Sequence, residues 1–235
     1  MSGTLYLIPV PLGPGAPQDV LPPHTLSTLQ PLRHFVVENA KSARAFLKIA
    51  GTTLPLQELQ LNELNEHSRP ADIAPLLAPL LAGEDVGLLS EAGCPAVADP
   101  GAALVALAQQ QNIRVVPLIG PSSLLLALMG SGLDGQRFAF HGYLPAKDAE
   151  RSKVLRDLEK ESRQKRQTQL CIETPYRNAA LFDALLRHCQ PGTRLCVATD
   201  LSLPSERIRT QTIAAWKKQT PPDLERRPTV FLFLA

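Results

Sequence analysis

The chain has 235 residues, 44% of them hydrophobic and 20% charged, with a formal net charge of +2 at pH 7. This length accommodates one large or two small domains, and the apolar fraction is high enough to exclude intrinsic disorder. The near-neutral charge excludes a strongly basic footprint, so composition alone does not indicate a nucleic-acid partner.

The first half of the chain alternates short apolar runs with segments of helical spacing. The runs are typical of buried strands and lie at Thr4–Val10, Arg33–Glu38, Asp85–Ser90 and Arg114–Leu118. Apolar residues at helical spacing predict helices at Ser42–Ile49, Leu76–Leu81 and Ala102–Gln111. Gly51 is the predicted C-cap of the first of these helices. A further apolar helix, LLLALMGS, follows the segment GPSS.

The second half of the chain repeats this alternation. Apolar runs predict strands at Phe138–Phe140, Gln169–Glu173, Arg194–Thr199, Arg207–Ile213 and Thr229–Leu234. A charged helix is predicted at Asp148–Gln167. A second helix should run from Pro175 through His188, since proline is favoured in the first turn. The segment KESRQKRQ near the end of the charged helix is basic, and both a solvated face and an RNA-binding patch are compatible with it.

Strands and helices that alternate through short loops predict an α/β protein with mostly parallel sheets. The alternation restarts near residues 117–122, where no flexible linker is present. We therefore predict two α/β domains, residues 1–118 and residues 119–235.

Three polar segments follow predicted strands and are candidates for ligand binding. The first, SEAGCPAVADPG at Ser90–Gly101, carries small residues that let a ligand approach the backbone, although an ordinary tight connection has the same composition. The second, Ile119–Leu125, offers the Ser122 and Ser123 hydroxyls beside a helix N-terminus, where simple capping is the alternative. The third, Ile172–Arg177, brings a glutamate, a threonine and an arginine to a strand-to-helix turn.

Several common catalytic motifs are missing from the sequence. It contains no P-loop, GxSxG, HExxH or EF-hand motif, and no GxGxxG follows the first strand. The four cysteines lack CxxC spacing and histidine partners, so we expect no metal site. Cys171, Cys189 and Cys196 lie in or beside apolar segments and should be buried thiols. We also expect a cytoplasmic protein, because neither a signal peptide nor an apolar stretch of membrane-spanning length is visible.

Six motifs in chain order resemble the tetrapyrrole methylase superfamily and, within it, the branch that methylates a ribose in small-subunit ribosomal RNA. The N-terminal TLYLIPVPLG resembles TLYxVxTPIGN, and Ser90–Gly101 resembles SDAGTPxxSDPG. Val115–Ser123 is similar to VxPxPGPSA, and Gly142–Lys147 is similar to GFLPxK. Glu173–Arg177 resembles ESPHR, and Asp200–Glu206 resembles ELTKxxE. Together the motifs extend over nearly the whole chain.

The resemblance implies a methyltransferase dependent on S-adenosylmethionine, with two α/β domains, a cofactor cleft between them and a homodimeric assembly. It assigns the methionine part of the cofactor to residues of the first half, namely Pro9, Ser90, Ala92, Gly93, Cys94, Ala98 and Asp99, with Ser122 and Ser123 beside them. It assigns the adenosine to residues of the second half, namely Glu173, Thr174, Ala198, Thr199 and Thr229.

The chain departs from the ribosomal RNA branch on the substrate side. Where that branch has AEDTR, this chain has Val37–Lys41, which keeps Glu38 and a positive charge at Lys41. The chain also ends at Ala235, where that branch continues into a small helical domain. Three hypotheses stay open: a ribosomal RNA ribose 2'-O-methyltransferase or a paralogue with altered substrate, a methyltransferase for a tetrapyrrole or another small molecule, and a non-catalytic S-adenosylmethionine-binding module.

A ribose acceptor requires a base, because its hydroxyl must lose a proton during methyl transfer. The candidates for this base are Glu38, Asp99 and His67. The histidine lies in ELNEHSRP, a context that is also typical of a surface loop. Under the first hypothesis, the expected partner is ribosomal RNA or the small ribosomal subunit.

Overall fold

A computed structural model describes residues 2–235 of the chain. These residues form two compact units, one ending at Ser122 and the other spanning Ser123–Ala235. The division falls a few residues after the boundary predicted at residue 118. Each unit has its own five-stranded sheet and its own buried core.

The first unit is built on a fully parallel sheet. Its strands are β1 (Thr4–Ile8), β2 (His34–Val37), β3 (Gln60–Glu63), β4 (Val86–Leu89) and β5 (Arg114–Pro117). They are arranged in the order β3-β2-β4-β1-β5, and all four neighbouring pairs are parallel. The carboxyl ends of all five strands therefore lie at one edge of the sheet.

Helices cover both faces of this sheet. They are α1 (Pro23–Leu29), α2 (Ala40–Ala50), α3 (Pro70–Ile73), α4 (Ala78–Leu81) and α5 (Gly101–Gln110), with 3-10 turns at Pro17–Asp19 and Ala74–Leu77. On one face α1 and α2 pack against Ile8 and Phe35, and on the other α4 and α5 pack against Leu5 and Leu88. Since β1 leads to α1 and the neighbouring β4 leads to α5, the two connections leave toward opposite faces. Such a divergence opens a crevice at the carboxyl ends of the two strands.

The second unit contains a mixed sheet. Its strands are β6 (Phe138–Tyr143), β7 (Thr168–Ile172), β8 (Arg194–Thr199), β9 (Arg207–Thr212) and β10 (Thr229–Leu234), in the order β6-β7-β10-β8-β9. Only the β6 and β7 pair is parallel, and the other three pairs are antiparallel. β6, β7 and β8 share one direction, whereas β9 and β10 run in the opposite one.

This mixed order refines the prediction of mostly parallel sheets. The two-domain α/β architecture is confirmed, and parallel pairs predominate in the molecule as a whole. In the second unit, however, residues 200–206 join β8 to β9 without a helix, and so short a connection produces an antiparallel pair. The last strand, β10, inserts between β7 and β8 and forms an antiparallel pair with each of them.

Four helices complete the second unit. They are α6 (Ser123–Ser131), α7 (Asp148–Lys165), α8 (Asn178–His188) and α9 (Ile213–Trp216). The core on one face of the sheet combines Leu155 of α7, Phe182 of α8 and Trp216 of α9 with Phe231 of β10. No helix within residues 2–235 has both the length and the apolar character needed to cross a membrane.

Candidate active site

The loop that follows β4 is anchored to the residues that follow β1. Gly93 and Val10 exchange two backbone hydrogen bonds, of 3.0 and 3.1 Å between N and O. The Ser90 hydroxyl donates to the Gly93 carbonyl at 3.2 Å. Gly93 has a φ of +74°, and an added Cβ would lie 3.2 Å from a Leu12 methyl, so glycine suits this position. Three residues expected at the cofactor, Pro9, Ser90 and Gly93, therefore lie where β1 and β4 end.

The remainder of this loop has an uncommon backbone conformation. Ala96 and Ala98 have φ values of 64° and 56°, in the left-handed region that residues other than glycine seldom adopt. Asp99 supports this conformation, because its Oδ1 accepts the backbone N–H groups of Ala96 at 3.2 Å and of Gly101 at 2.6 Å. Ala92 and Ala98 are exposed. Backbone held in this way and open to solvent is frequent at ligand sites.

Two carboxyl groups meet beside the loop. Glu38 follows β2, and its Oε1 accepts the Glu91 backbone N–H at 3.1 Å. Its side chain also hydrogen-bonds that of Asp99, whose buried Oδ2 faces no N–H donor. Burial above all, and then the bond to Asp99, raises the pKa of Glu38 to about 7, while the Glu91 N–H acts in the opposite direction. Glu38 can therefore take up or release a proton near neutral pH, as a general base must.

The N-terminus of α2 adjoins the same loop. The Asn39 side chain caps this helix by accepting the N–H groups of Lys41 at 2.9 Å and Ser42 at 3.2 Å. The Ser42 hydroxyl donates to the Glu91 carboxylate at 2.5 Å. A cavity of about 30 Å³ is lined by Val10, Ser42, Ala43, Phe46, Leu89, Ser90 and Glu91. It has room for about one or two water molecules, so a nucleoside must bind outside it.

The segment that follows β5 packs on the same edge of the first sheet. The Cys94 sulfur lies 3.5 Å from the Pro121 carbonyl oxygen, and burial raises the pKa of the thiol. Gly120 lies so close to Pro9 that an added Cβ would be 2.3 Å from the proline Cβ. The chain then reaches the two serines singled out in the sequence, Ser122, the last residue of the first unit, and Ser123, the first residue of α6.

In the second unit, Glu173 and Thr174 form a turn at the end of β7. The Glu173 side chain is fully buried, and its Oε1 accepts the Thr174 backbone N–H and an Arg177 guanidinium N–H, each at 2.7 Å. Its Oε2 is buried without any hydrogen-bond partner, and so is Oδ1 of Asn178. These two oxygens are free to accept hydrogen bonds from a ligand. Without such a partner, a buried oxygen destabilises the folded protein.

The neighbouring strands end at the same edge of the second sheet. Thr199 is the last residue of β8 and pairs with Thr229, the first residue of β10, and Ala198 lies buried beside them. Directly after β8, the buried Asp200 accepts a hydrogen bond from Arg227 at 2.5 Å. The five residues expected to hold the adenosine are thus brought together at one edge. Asn178 and the ion pair between Asp200 and Arg227 join them, although no motif in the sequence assigned those residues a role at the cofactor.

His67 lies in a different setting. Its side chain is 86% exposed, and its imidazole lies 3.7 Å from the Glu66 carboxylate, which is equally exposed. The backbone N–H of His67 donates to the Asn65 side chain, as in a surface turn. This environment fits a loop histidine, so His67 has no part in the mechanism proposed below.

Solved structures share this fold over nearly the entire chain. The crystal structure of the methyltransferase CobJ matches 100% of this chain and 94% of its own, with a TM-score of 0.65 and 17% sequence identity. Diphthine synthase matches 99% of this chain and 90% of its own, with a TM-score of 0.66 and 16% identity. The likeness shows that the chain shares the fold of these structures, with two α/β units.

The sequence comparisons define the family. The model of the family Tetrapyrrole (Corrin/Porphyrin) Methylases matches residues 5–216. A protein named ribosomal RNA small subunit methyltransferase I from Synechocystis sp. is 32% identical over 223 residues, which is 93% of this chain and 76% of that protein. Its namesake from Pseudomonas aeruginosa is 34% identical over 216 residues, 91% of this chain and 71% of that protein. The chain belongs to the tetrapyrrole methylase family, and it is a methyltransferase.

Methyltransferases of this family use S-adenosylmethionine, and each unit, taken by itself, offers polar atoms that suit a part of that molecule. The buried, unpartnered Oε2 of Glu173 can accept a hydrogen bond from a nucleoside hydroxyl or amine. In the first unit, Ala92 and Ala98 are exposed residues with small side chains, which let an amino-acid carboxylate or amine approach the loop backbone. The residues present therefore fit the cofactor.

Proposed function

We propose that this methyltransferase transfers the methyl group of S-adenosylmethionine to a ribose 2'-hydroxyl of small-subunit ribosomal RNA. The observation that carries the proposal is the carboxyl pair of Glu38 and Asp99, in which the pKa of Glu38 is about 7, beside the loop after β4. A ribose hydroxyl needs a base of this kind. The names of the relatives support ribosomal RNA as the acceptor.

The cofactor contacts in this proposal follow the two strand-end edges. In the first unit the methionine part contacts the loop after β4, through Ser90, Ala92, Gly93, Cys94, Ala98 and Asp99, together with Pro9, Ser122 and Ser123. In the second unit the adenosine contacts Glu173, Thr174, Ala198, Thr199 and Thr229. When bound, S-adenosylmethionine supplies a methyl group on a positively charged sulfur.

The protein's own contribution is to orient the acceptor and to move one proton. The ionised Glu38 carboxylate takes the proton of the ribose hydroxyl, so that the oxygen can form its bond to the methyl carbon as the carbon–sulfur bond breaks. Asp99 is a positioning residue, because its Oδ1 is held by two backbone N–H groups and its side chain interacts with that of Glu38. The Glu91 N–H fixes the orientation of the Glu38 carboxylate at 3.1 Å.

Two measurements test this function. Calorimetric titration with S-adenosylmethionine should show binding, and absence of binding at millimolar concentration would end the proposal. Tritiated cofactor added with small ribosomal subunits should label the RNA, and nuclease digestion should place the label on a ribose. Label in a small-molecule fraction would instead favour a tetrapyrrole or similar acceptor. Binding without transfer to any cell fraction would favour a non-catalytic module.

The proposal extends to the assembly and location of the enzyme. A homodimer is supported by the exposed apolar side chains of α6, where Leu125 is 52% and Met129 is 80% exposed. Multi-angle light scattering should give twice the chain mass, and Met129→Lys should shift the protein toward the monomer. A ribosomal acceptor would place the enzyme in the cytoplasm.

A further inference from the structure

The solvent face of α7 carries four cations in a row. Lys153, Arg156, Lys160 and Arg163 are exposed and follow one another at intervals of three or four residues, so their side chains lie on one side of the helix. We call these four residues the α7 stripe. With a rise of about 1.5 Å per residue it extends over about 15 Å, and it covers an arc of about 80° on the helix surface.

None of the four cations has an ionic partner within the part of the chain that the structure describes. Ion pairs do form elsewhere on and beside the same helix, between Lys147 and Glu150, Arg151 and Asp148, and Lys165 and Glu161. Asp157 has the sequence spacing that would allow ion pairs with Lys153 and Lys160, but it lies beyond ion-pair distance from both. It lies on the acidic flank of the helix, with Glu150 and Glu161. Between residues 150 and 163, the solvent-facing charges of α7 are thus sorted into a cationic and an acidic flank.

This sorting does not stabilise the helix. Like charges three or four residues apart repel each other, and the stripe contains three such steps. The opposite face of α7 is buried through Leu155, Leu158 and Ser162, so the stripe is not needed to hold the helix in place. Only Arg163, in the last turn of α7, is placed to stabilise the helix through its dipole. The row as a whole is explained more simply by a ligand with regularly spaced negative charges.

We infer that the α7 stripe is a docking surface for the phosphate backbone of RNA. The inference rests on the proposed function and deepens it, because it assigns to the second unit a surface that binds the acceptor RNA. Nucleic acid is the partner whose chemistry fits, since consecutive phosphates along one strand present the regular negative charges that four aligned cations can neutralise. Arg137 and Arg166 extend the positive charge at the C-terminal end of α7, where the Arg137 guanidinium donates to the Lys165 carbonyl at 3.3 Å.

The test replaces the stripe in the full-length protein by K153Q, R156Q, K160Q and R163Q together. Glutamine preserves helix propensity, so folding should be unaffected. Affinity for small ribosomal subunits and for protein-free small-subunit RNA should fall about 10- to 100-fold at moderate salt. The slope of log K against log salt concentration should become shallower by about 3, given about 0.7 to 0.9 per phosphate contact. The KM for RNA should rise while kcat stays near the wild-type value, since the stripe takes no part in proton or methyl transfer.

A matched control removes four exposed cations from the first unit, by R33Q, K48Q, R69Q and R114Q. It changes the net charge equally, and we expect it to leave RNA affinity within about twofold of wild type. An equal loss in both variants, or no loss in the stripe variant, overturns the docking surface. Affinity for S-adenosylmethionine should be unchanged in both variants.

If the wild type binds cofactor but no RNA, the proposed acceptor fails, and the inference with it. If the wild type methylates RNA and the stripe variant matches it, only the inference fails.

Discussion

At the scale of single residues, the carboxyl pair of Glu38 and Asp99 makes the sharpest prediction. If Glu38 accepts the hydroxyl proton, kcat/KM should rise tenfold per pH unit below pH 7 and level off above it, because the ionised form is active and the pKa is about 7. Glu38→Gln cannot accept a proton, so its rate should fall about 100-fold or more and lose this pH dependence. Rates of methyl transfer between pH 5.5 and 9, with cofactor binding measured in parallel, check the prediction. An unchanged profile in Glu38→Gln would remove Glu38 from the chemistry.

Asp99→Asn provides the companion measurement. Asparagine Oδ1 can still accept from the Ala96 and Gly101 N–H groups, so the loop should keep its conformation. Since Asp99 raises the pKa of Glu38 through its hydrogen bond and its charge, its replacement should move the midpoint of the rate profile to lower pH. A midpoint that stays in place would show that the two carboxyl groups are not coupled.

Some residues of the candidate site could be named from the sequence, and others could not. Glu38 and Asp99 were named from the sequence only as candidates for the base, beside His67. They are 61 positions apart, and no pattern in the sequence indicates that their side chains interact. Asn178 and the ion pair of Asp200 with Arg227 were not assigned to the site, because they become neighbours only when β10 pairs with β7 and β8.

At the scale of elements, the packing between the segments that follow β1 and β5 depends on a glycine. An added Cβ at Gly120 would lie 2.3 Å from Cβ and 2.8 Å from Cγ of Pro9, and a proline ring cannot rotate away. Gly120→Ala should therefore lower the free energy of unfolding by about 3 kcal/mol. It should also weaken cofactor binding, because Pro9 and Ser122 flank this contact. Urea denaturation followed by circular dichroism measures the first effect, and calorimetry measures the second.

Gly192→Ala is the control for this change, because an added Cβ there meets nothing within 4 Å. It should alter the free energy of unfolding by no more than about 0.5 kcal/mol. Equal stability of Gly120→Ala and Gly192→Ala would mean that the segment after β5 moves freely away from Pro9, which contradicts the tight packing described here.

Element prediction from sequence succeeded where local chemistry is decisive. The helix predicted at Ser42–Ile49 is present as α2, and Gly51 ends it in the left-handed conformation with a φ of 79°. β3 was not predicted because three of its four residues, QLNE, are polar and the strand lies at the sheet edge, where burial imposes no apolar pattern. The helix expected from Pro175 begins only at Asn178, since the hydrogen bond from the Arg177 N–H to the Thr174 carbonyl closes a turn first.

At the scale of the whole molecule, strand order was beyond the reach of sequence patterns. Alternating strands and helices predicted two α/β units, and the parallel first sheet follows from its helical crossovers. The insertion of β10 between β7 and β8 depends on pairing between residues that are distant in sequence, as Thr229 with Thr199 and Val230 with Ile172 illustrate. Periodicity reports which residues are buried, but it contains no information on which strand will be the neighbour.

The single tryptophan offers a test of whether both units contribute to cofactor binding. Trp216 is buried in the core of the second unit, where its indole N–H donates to the Leu195 carbonyl at 2.9 Å and its ring meets Phe182 edge-on at 5.4 Å. Its fluorescence therefore reports the unfolding of that unit. Cofactor at 100 times its Kd should stabilise the folded protein by about 2.7 kcal/mol and raise the denaturation midpoint seen by Trp216.

Glu173→Gln should remove most of this cofactor-induced shift. In the wild type, one carboxylate oxygen accepts from Arg177, and the other, buried and unpartnered, is assigned to the adenosine. Glutamine has only one side-chain oxygen and no charge, so it cannot keep the Arg177 ion pair and cannot offer an acceptor in both positions. Glu225→Gln removes the same charge from an exposed side chain and should leave the shift intact. If Glu173→Gln binds the cofactor as tightly as wild type and shows the same shift, the second sheet's edge is not the nucleoside site, and the cofactor contacts must be sought in the first unit alone.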